Sequence, residues 1–384
     1  MKVHFLFSSP NGDLSLGPED LARPFLITPS EPHPFLTLGD YFESLKAFIL
    51  KDRAKRAVSV LNERIEKEIG LDDIHKILIR SEKHGVLYHL ASVEVFVEAQ
   101  RIMLTVSTAV SEKGKRWLAR EYEILNYLNS GLNLPYLPKV YSKRDVECQA
   151  GNGKNETLAM LLSEWFEDYH EWHLSNDETG NSQRVCIWDL KNGNRYASKK
   201  ETFEIFRQAS KILTLYYDMD NFNQIYPWHH AAGDFIVRTR SNGLDVKLTT
   251  ARKYQTIMDV FSDDIVDPMV AMIYFFLNLT IKMRLDKLDG VGMTVWAGDF
   301  SVDAATVGFF EALQIMEAQG RYSLGQVEDL LFLLTSFNED ELGRLFHPLF
   351  GLYERDDPAD LSVIQADFKS HVSLLFQTLR KFRL

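Results

Sequence analysis

The chain has 384 residues, 45% of them hydrophobic and 25% charged, a balance that supports a sizeable core and excludes global disorder. Its formal net charge of −11 argues against partners that need a basic surface, namely nucleic acid and anionic membranes. The two cysteines, Cys148 and Cys186, cannot make a disulfide framework or a thiolate zinc site; no apolar run reaches membrane-spanning length, and the cluster Val3 to Phe7 is too short for a signal peptide, so a cytoplasmic protein is expected.

In chain order, residues 1–37 hold Pro24, Pro29, Pro32 and Pro34 and read as an irregular surface arm. From Leu38 to about Ile69 apolar residues recur at three- and four-residue steps (Phe42, Leu45, Phe48, Ile49, then Val58, Leu61, Ile65), so residues 1–72 form an arm and a helical extension. Residues 73–165 then carry period-two character. Strands are expected at His75–Arg80, Gly85–Val97 and Arg101–Val110, a helix from Arg116 to about Leu128, and two more strands at Leu134–Val146 and Thr157–Trp165. Residues 166–384 read as mainly helical: a small hairpin at Val185–Tyr196, a helix at Lys199 to about Tyr217, and a buried helix at Met269–Leu285 started by Asp267-Pro268. Further helices are expected at Asp303–Gly320, Leu324–Phe337 with Ser323 as cap, Glu339–Phe346 and Asp360–Leu384.

Between these helices lies the stretch with the most concentrated polar chemistry, Trp228-His229-His230-Ala231-Ala232-Gly233-Asp234. It leads into a strand, Phe235 to Arg240, then Ser241-Asn242-Gly243 and a second strand, Leu244 to Thr250, a hairpin signalled by Asn-Gly. The loop supplies imidazole and carboxylate groups; its plainest reading is two surface histidines. With His170-Glu171-Trp172-His173 these residues offer ligands to a transition metal, although their spacing fits no standard metal motif. Asp218-Met219-Asp220 reads as a cation site or as a solvated helix end. The aromatic segment Trp165 to Trp172 reads as a ligand lip or as a packed hinge.

The order three strands, helix, two strands, acidic-aromatic link, helix, loop, hairpin, buried helix resembles the protein kinase-like fold, including its aminoglycoside and choline phosphotransferase branch, over residues 73–340. The resemblance implies a two-lobed α+β protein: a five-stranded antiparallel small lobe with one helix, a mainly helical large lobe, and an N-terminal helical extension. It implies ATP with Mg as cofactor, Asp234 at the metal-binding asparagine position, and His229 where the catalytic aspartate belongs. Thr250 would stand where the second metal-binding aspartate belongs. The third strand lacks the phosphate-binding lysine, leaving Lys113 and Lys115 just beyond it, while Glu121 matches the helix glutamate that pairs with that lysine. So degraded a motif set implies a pseudokinase-like binding or regulatory protein that keeps an interlobe cleft for a protein or small-molecule partner and has lost standard phosphoryl transfer. The alternative is a nonstandard phosphotransferase or nucleotidyl transferase, with His229 as base, Asp234 on the metal and Lys113 or Lys115 on the phosphates.

Overall fold

The computed structural model describes residues 1–9, 12–65, 69–85, 87–177, 183–189, 191–228, 230, 233–241, 243–261 and 267–384, with side chains described for all of these except 52–57 and 63–65. The chain is a mixed α+β protein that divides into two units, Met1–Glu167 and Asp168–Leu384.

The first unit begins with β1 (Lys2–Phe7), β2 (Leu14–Ser15), α1 (Pro18–Leu21), β3 (Pro24–Thr28), β4 (Glu31–Thr37) and α2 (Leu38–Ile65). It continues with β5 (Ile74–His84), β6 (His89–Val97), β7 (Gln100–Ala109), α3 (Glu112–Leu132), β8 (Val140–Gln149) and β9 (Asn155–Glu164). The expectation of a five-stranded sheet is corrected to seven strands, in the order β2-β1-β5-β6-β7-β9-β8. The two additional strands come from the segment expected to be an irregular arm: β1 pairs in parallel with β5, from Lys2 opposite Lys76 to Phe7 opposite Ser81, and β2 pairs with β1. The prolines that suggested irregularity fall in or beside β3 and β4, a separate two-stranded ribbon whose register is broken by irregularities. Proline is tolerated in such edge positions because a missing N–H costs no ladder bond there.

Alternation in the strands sends side chains to both faces of this sheet. Ile102, Leu104 and Val106 of β7 and Leu158, Met160 and Leu162 of β9 join the core that holds Tyr41, Phe42 and Leu45 of α2. Their neighbours Ala109, Ala159 and Leu161 face Leu118 of α3. Burial on both faces explains why β9 reads as a continuous apolar run. Phe5 of β1 stacks on Phe42 at 4.9 Å and Phe25 of β3 on Tyr41 at 4.5 Å, so residues 1–72 are part of this unit's core. Strand β8 starts later than expected because Pro135 and Pro138 interrupt its approach, and α3 starts earlier because the Ser111 hydroxyl accepts the Gly114 N–H as N-cap.

The second unit contains β10 (His170–Asn176), β11 (Gln183–Trp188), β12 (Arg195–Tyr196), α4 (Lys199–Leu215), β13 (Gln224–Ile225), β14 (Phe235–Arg240), β15 (Gly243–Leu248) and β16 (Tyr254–Gln255). After them come α5 (Pro268–Lys282), β17 (Leu285–Lys287), β18 (Thr294–Trp296), α6 (Phe300–Ala318), α7 (Val327–Ser336), α8 (Glu339–Leu345), α9 (His347–Asp356) and α10 (Pro358–Lys381). The expected hairpins merge into one sheet, β12-β11-β10-β14-β15, because the start of the acidic-aromatic link's final segment, His170 and Glu171, pairs with Val237 and Ile236 of β14. Asn242, half of the hairpin signal, lies outside the described residues; Arg240 opposite Gly243 closes the turn.

Asp267 caps α5 as its sequence indicated, accepting the N–H groups of Met269 and Val270, and every side chain from Ala271 to Lys282 is buried. Lys282 is accommodated because its ammonium donates to Asp357 at 3.0 Å and Asp360 at 3.3 Å, which ties α5 to α10. Helix α9 was not anticipated, and α7 is capped at Gln326 rather than Ser323. Among the described residues no helix is long and apolar enough to cross a membrane.

Helices α4 and α6 approach closely at Gly308, where a Cβ would overlap the Arg207 carbonyl. Gly308→Ala must push the two helices apart, and it should lower stability by about 1–3 kcal/mol, as overpacking does, measured by urea unfolding of the intact chain.

Candidate functional site

Aromatic packing anchors Trp228 and His230 of the polar loop. Trp228 and His230 are buried, and the His230 ring lies 4.7 Å from Trp172, 5.2 Å from Phe206 and 5.7 Å from Phe235. His230 is therefore a core residue and not a surface one. His229 lies outside the described residues. The chain then turns at Gly233, whose φ of +68° favours glycine and whose N–H donates to the His230 carbonyl at 3.0 Å. A Cβ at Gly233 would stand 2.7 Å from the Glu171 carboxylate, so a side chain here would require Glu171 to move.

Asp234 follows, only 1% exposed. The Arg252 guanidinium donates to both of its oxygens, Nη1 to Oδ2 at 3.0 Å and Nη2 to Oδ1 at 2.8 Å. The backbone is tied as well: Thr249 N–H donates to the Asp234 carbonyl at 2.7 Å and the Thr249 hydroxyl to the Gly233 carbonyl at 3.1 Å. A buried carboxylate needs a countercharge, and the planar fork of arginine meets both oxygens at once. Asp234, expected as a metal ligand, is engaged by an arginine in this structure. A guanidinium across both oxygens occupies the coordinating direction and repels a divalent cation. Thr250 is buried beside this pair in sequence, and Leu248 sits in the core opposite Phe235, as the two-residue period requires.

Tyr169, just before β10, and Glu171 and His173 within it succeed one another at two-residue steps, the first two partly exposed and His173 buried. The Tyr169 hydroxyl donates to Asp245 at 2.5 Å, and Arg238 lies over its ring at 4.6 Å. Burial, then the Asp245 carboxylate, push the Tyr169 phenol up to about 12. Glu171 Oε2 lies 3.7 Å from Nε2 of His173, a buried imidazole with Trp188 edge-on at 4.6 Å and Gly290 against its ring. Asp286 of β17 joins this cluster: its carboxylate accepts the Leu174 N–H at 2.7 Å and the Lys287 N–H at 2.8 Å. Burial pushes its carboxyl up to about 6, against the pull of those donors and of His173.

Lys113, Lys115 and Glu121 belong to the first unit, Asp234 and Thr250 to the second. Lys113 is exposed on the first turn of α3. Lys115 donates to Glu112 at 2.9 Å and Glu156 at 3.4 Å; burial pulls its ammonium down, but the two carboxylates outweigh that and raise it. Glu121 is buried in α3. The helix rises about 1.5 Å per residue, so six residues separate Lys115 from Glu121 by roughly 9 Å along the axis. Strand β7 holds Thr105, Ser107 and Thr108 and no lysine.

The metal reading is dispersed. His170 turns to Asp189 at 3.6 Å, His173 to Glu171, and His230 into the aromatic core. Among the described residues no group of three or more histidine, cysteine, aspartate or glutamate side chains can hold a metal. Asp218 accepts the N–H groups of Asp220 and Asn221 at 2.9 and 3.1 Å and closes a turn.

Arg252 and Asp286 are the members that sequence reading passed over. Arg252 had a signal, a cation two residues past a position where the resemblance calls for a carboxylate; Asp286 had none. No family model matches the chain, and no curated protein matches it in sequence.

Arg252→Ala would strand a buried charge and should cost about 3–5 kcal/mol in urea unfolding, part of which Asp234→Ala restores in the double variant. Asp286 gives a pH test. Its carboxyl sits above the ordinary 3.8, so the stability it contributes is complete below that pH and lost as pH rises through about 6. Asp286→Asn, a permanent stand-in for the protonated acid, should flatten the stability profile between pH 4 and 6.

Proposed function

We propose that the protein is a kinase-like binding or regulatory module in which the groups of standard phosphoryl transfer have become structural contacts. The observation that carries this reading is the Asp234–Arg252 pair: the one carboxylate at an expected metal position has both oxygens engaged by a guanidinium. Three further facts support it. Strand β7 has no lysine, Lys115 is engaged by Glu112 and Glu156, and Thr250 offers a hydroxyl where two units of metal charge call for a carboxylate. The element order β5-β6-β7-α3-β8-β9 in the first unit and α4, β14–β15 hairpin, α5 in the second is consistent with the kinase-like resemblance. The partner is a protein or a small molecule, and the partly exposed Tyr169 and Glu171 at the start of β10 are where we place its recognition. The phosphotransferase alternative needs Asp234 on a metal and Lys113 or Lys115 on the phosphates; Asp234 is engaged by Arg252 and Lys115 by Glu112 and Glu156.

Thermal denaturation with millimolar ATP and Mg tests this. A ligand present at a hundredfold excess over its Kd adds about 2.7 kcal/mol. The expected outcome is no Mg-dependent rise in Tm; a rise of several degrees that Arg252→Ala leaves intact and Asp234→Asn abolishes overturns the reading.

A further inference from the structure

The first unit contains a polar cluster that the proposed function does not use. It lies on the α2 side of the sheet, at the end of the β5–β6 hairpin. His84 of β5 pairs in register with His89 of β6, which pairs in turn with Thr108 of β7. The two imidazoles are 4.8 Å apart, centroid to centroid, and tilted 40° to one another. His89 is buried, with Nε2 hydrogen-bonded to the Ser81 hydroxyl at 2.8 Å and Nδ1 shielded from solvent. Its ring packs 4.6 Å from Tyr41 of α2 and 5.3 Å from Phe25 of β3. His84 has both ring nitrogens shielded from solvent, with the Leu26 and Thr28 backbones of β3 facing it.

Three elements thus converge on two imidazoles: the β3–β4 ribbon, the start of α2 and the β5–β6 hairpin. The titratable and charged groups that meet the pair are Tyr41 from α2 and the two histidines themselves. β3 contributes backbone and Phe25, β5 the Ser81 hydroxyl and β7 Thr108. Among the described residues no carboxylate acts on either ring. Neutral imidazoles suit this site, because they pack as aromatics and accept or donate one bond each. Two imidazolium ions would repel each other in a poorly solvated space with no countercharge.

We propose that the His84–His89 pair is an acid-sensitive latch, which when neutral holds the β3–β4 ribbon and the start of α2 on the sheet and when protonated releases them. Burial, and for His89 also its neighbour His84, depress both imidazoles, His89 to about 3. The sign follows. The open form takes up protons near the ordinary 6.5 while the closed form does not, so closure is fully favoured above that pH and weakens as pH falls below it. At pH 5.0 the shift at His89 alone moves the local opening equilibrium by about 30-fold.

Hydrogen exchange of the full chain at pH 7.5 and 5.0, corrected for intrinsic rates and resolved by peptide, tests this. Peptides spanning 24–50 and 81–90 should lose at least tenfold protection at pH 5.0, while β14 and β15 of the second unit keep theirs. His84→Phe with His89→Phe preserves ring packing without titration and should hold protection at both pH values. If that double variant does not fold, His84→Phe alone, which leaves the Ser81–His89 bond in place, should show a smaller acid loss than the wild type. Unchanged protection in the wild type, or equal loss in wild type and variant, overturns the latch.

Discussion

An ionised carboxylate taken out of water persists only beside a fitted countercharge, and the Asp234–Arg252 pair imposes that condition on one end of the second unit's sheet. The register of β14 and β15 brings the two partners together: Phe235, next to Asp234, stands opposite Leu248, and Arg252 follows four residues after Leu248. The turn at Gly233 must also bring the chain against Glu171 with no side chain between them. The aromatic group of Trp172, Phe206, Trp228 and His230 then fixes the approach of the loop. Polar chemistry here follows from packing: the groups at the hairpin base are those that the fold can satisfy.

The same rule separates the two histidine environments. His173 stands against Glu171 and near Asp286, so a proton on its ring has carboxylates to face. Among the described residues His84 and His89 meet each other and neutral neighbours, and burial is the largest influence on their charge. Asp286 is the converse, a carboxyl whose burial favours its protonated form even with two backbone N–H donors attached. Histidines and a carboxyl buried in different units therefore respond to acid with opposite sign, and a single stability profile of the whole chain superposes the two.

The first unit owes its core to residues far apart in the chain. The N-terminal segment supplies β1 alongside β5, and with α2 it seals one face of the sheet while α3 seals the other. A sheet buried on both faces has few exposed apolar side chains, and its strands lose the apolar–polar alternation that would announce them. Strand β9, flanked by β7 and β8, reads as an apolar run for that reason.

Local repeats determined much of the element order from the sequence alone. The three- and four-residue recurrence in α2 and α4, the continuous apolar character of α5, the two-residue alternation of β14 and β15 and the Asp267-Pro268 start are properties of a few neighbouring residues, and the folded chain keeps them. What only the tertiary structure decided is which distant residues meet. Asp234 read as a metal ligand because its sequence neighbours fitted that role, and Arg252 was close by but unassigned. The strand character of residues 2–7 was invisible because it depends on β5 some seventy positions away. His84 and His89 gave no sign of facing the same ring of Phe25. Periodicity is written along the backbone, whereas the partner of a buried charge is set by burial and long-range contact, and no local pattern encodes it.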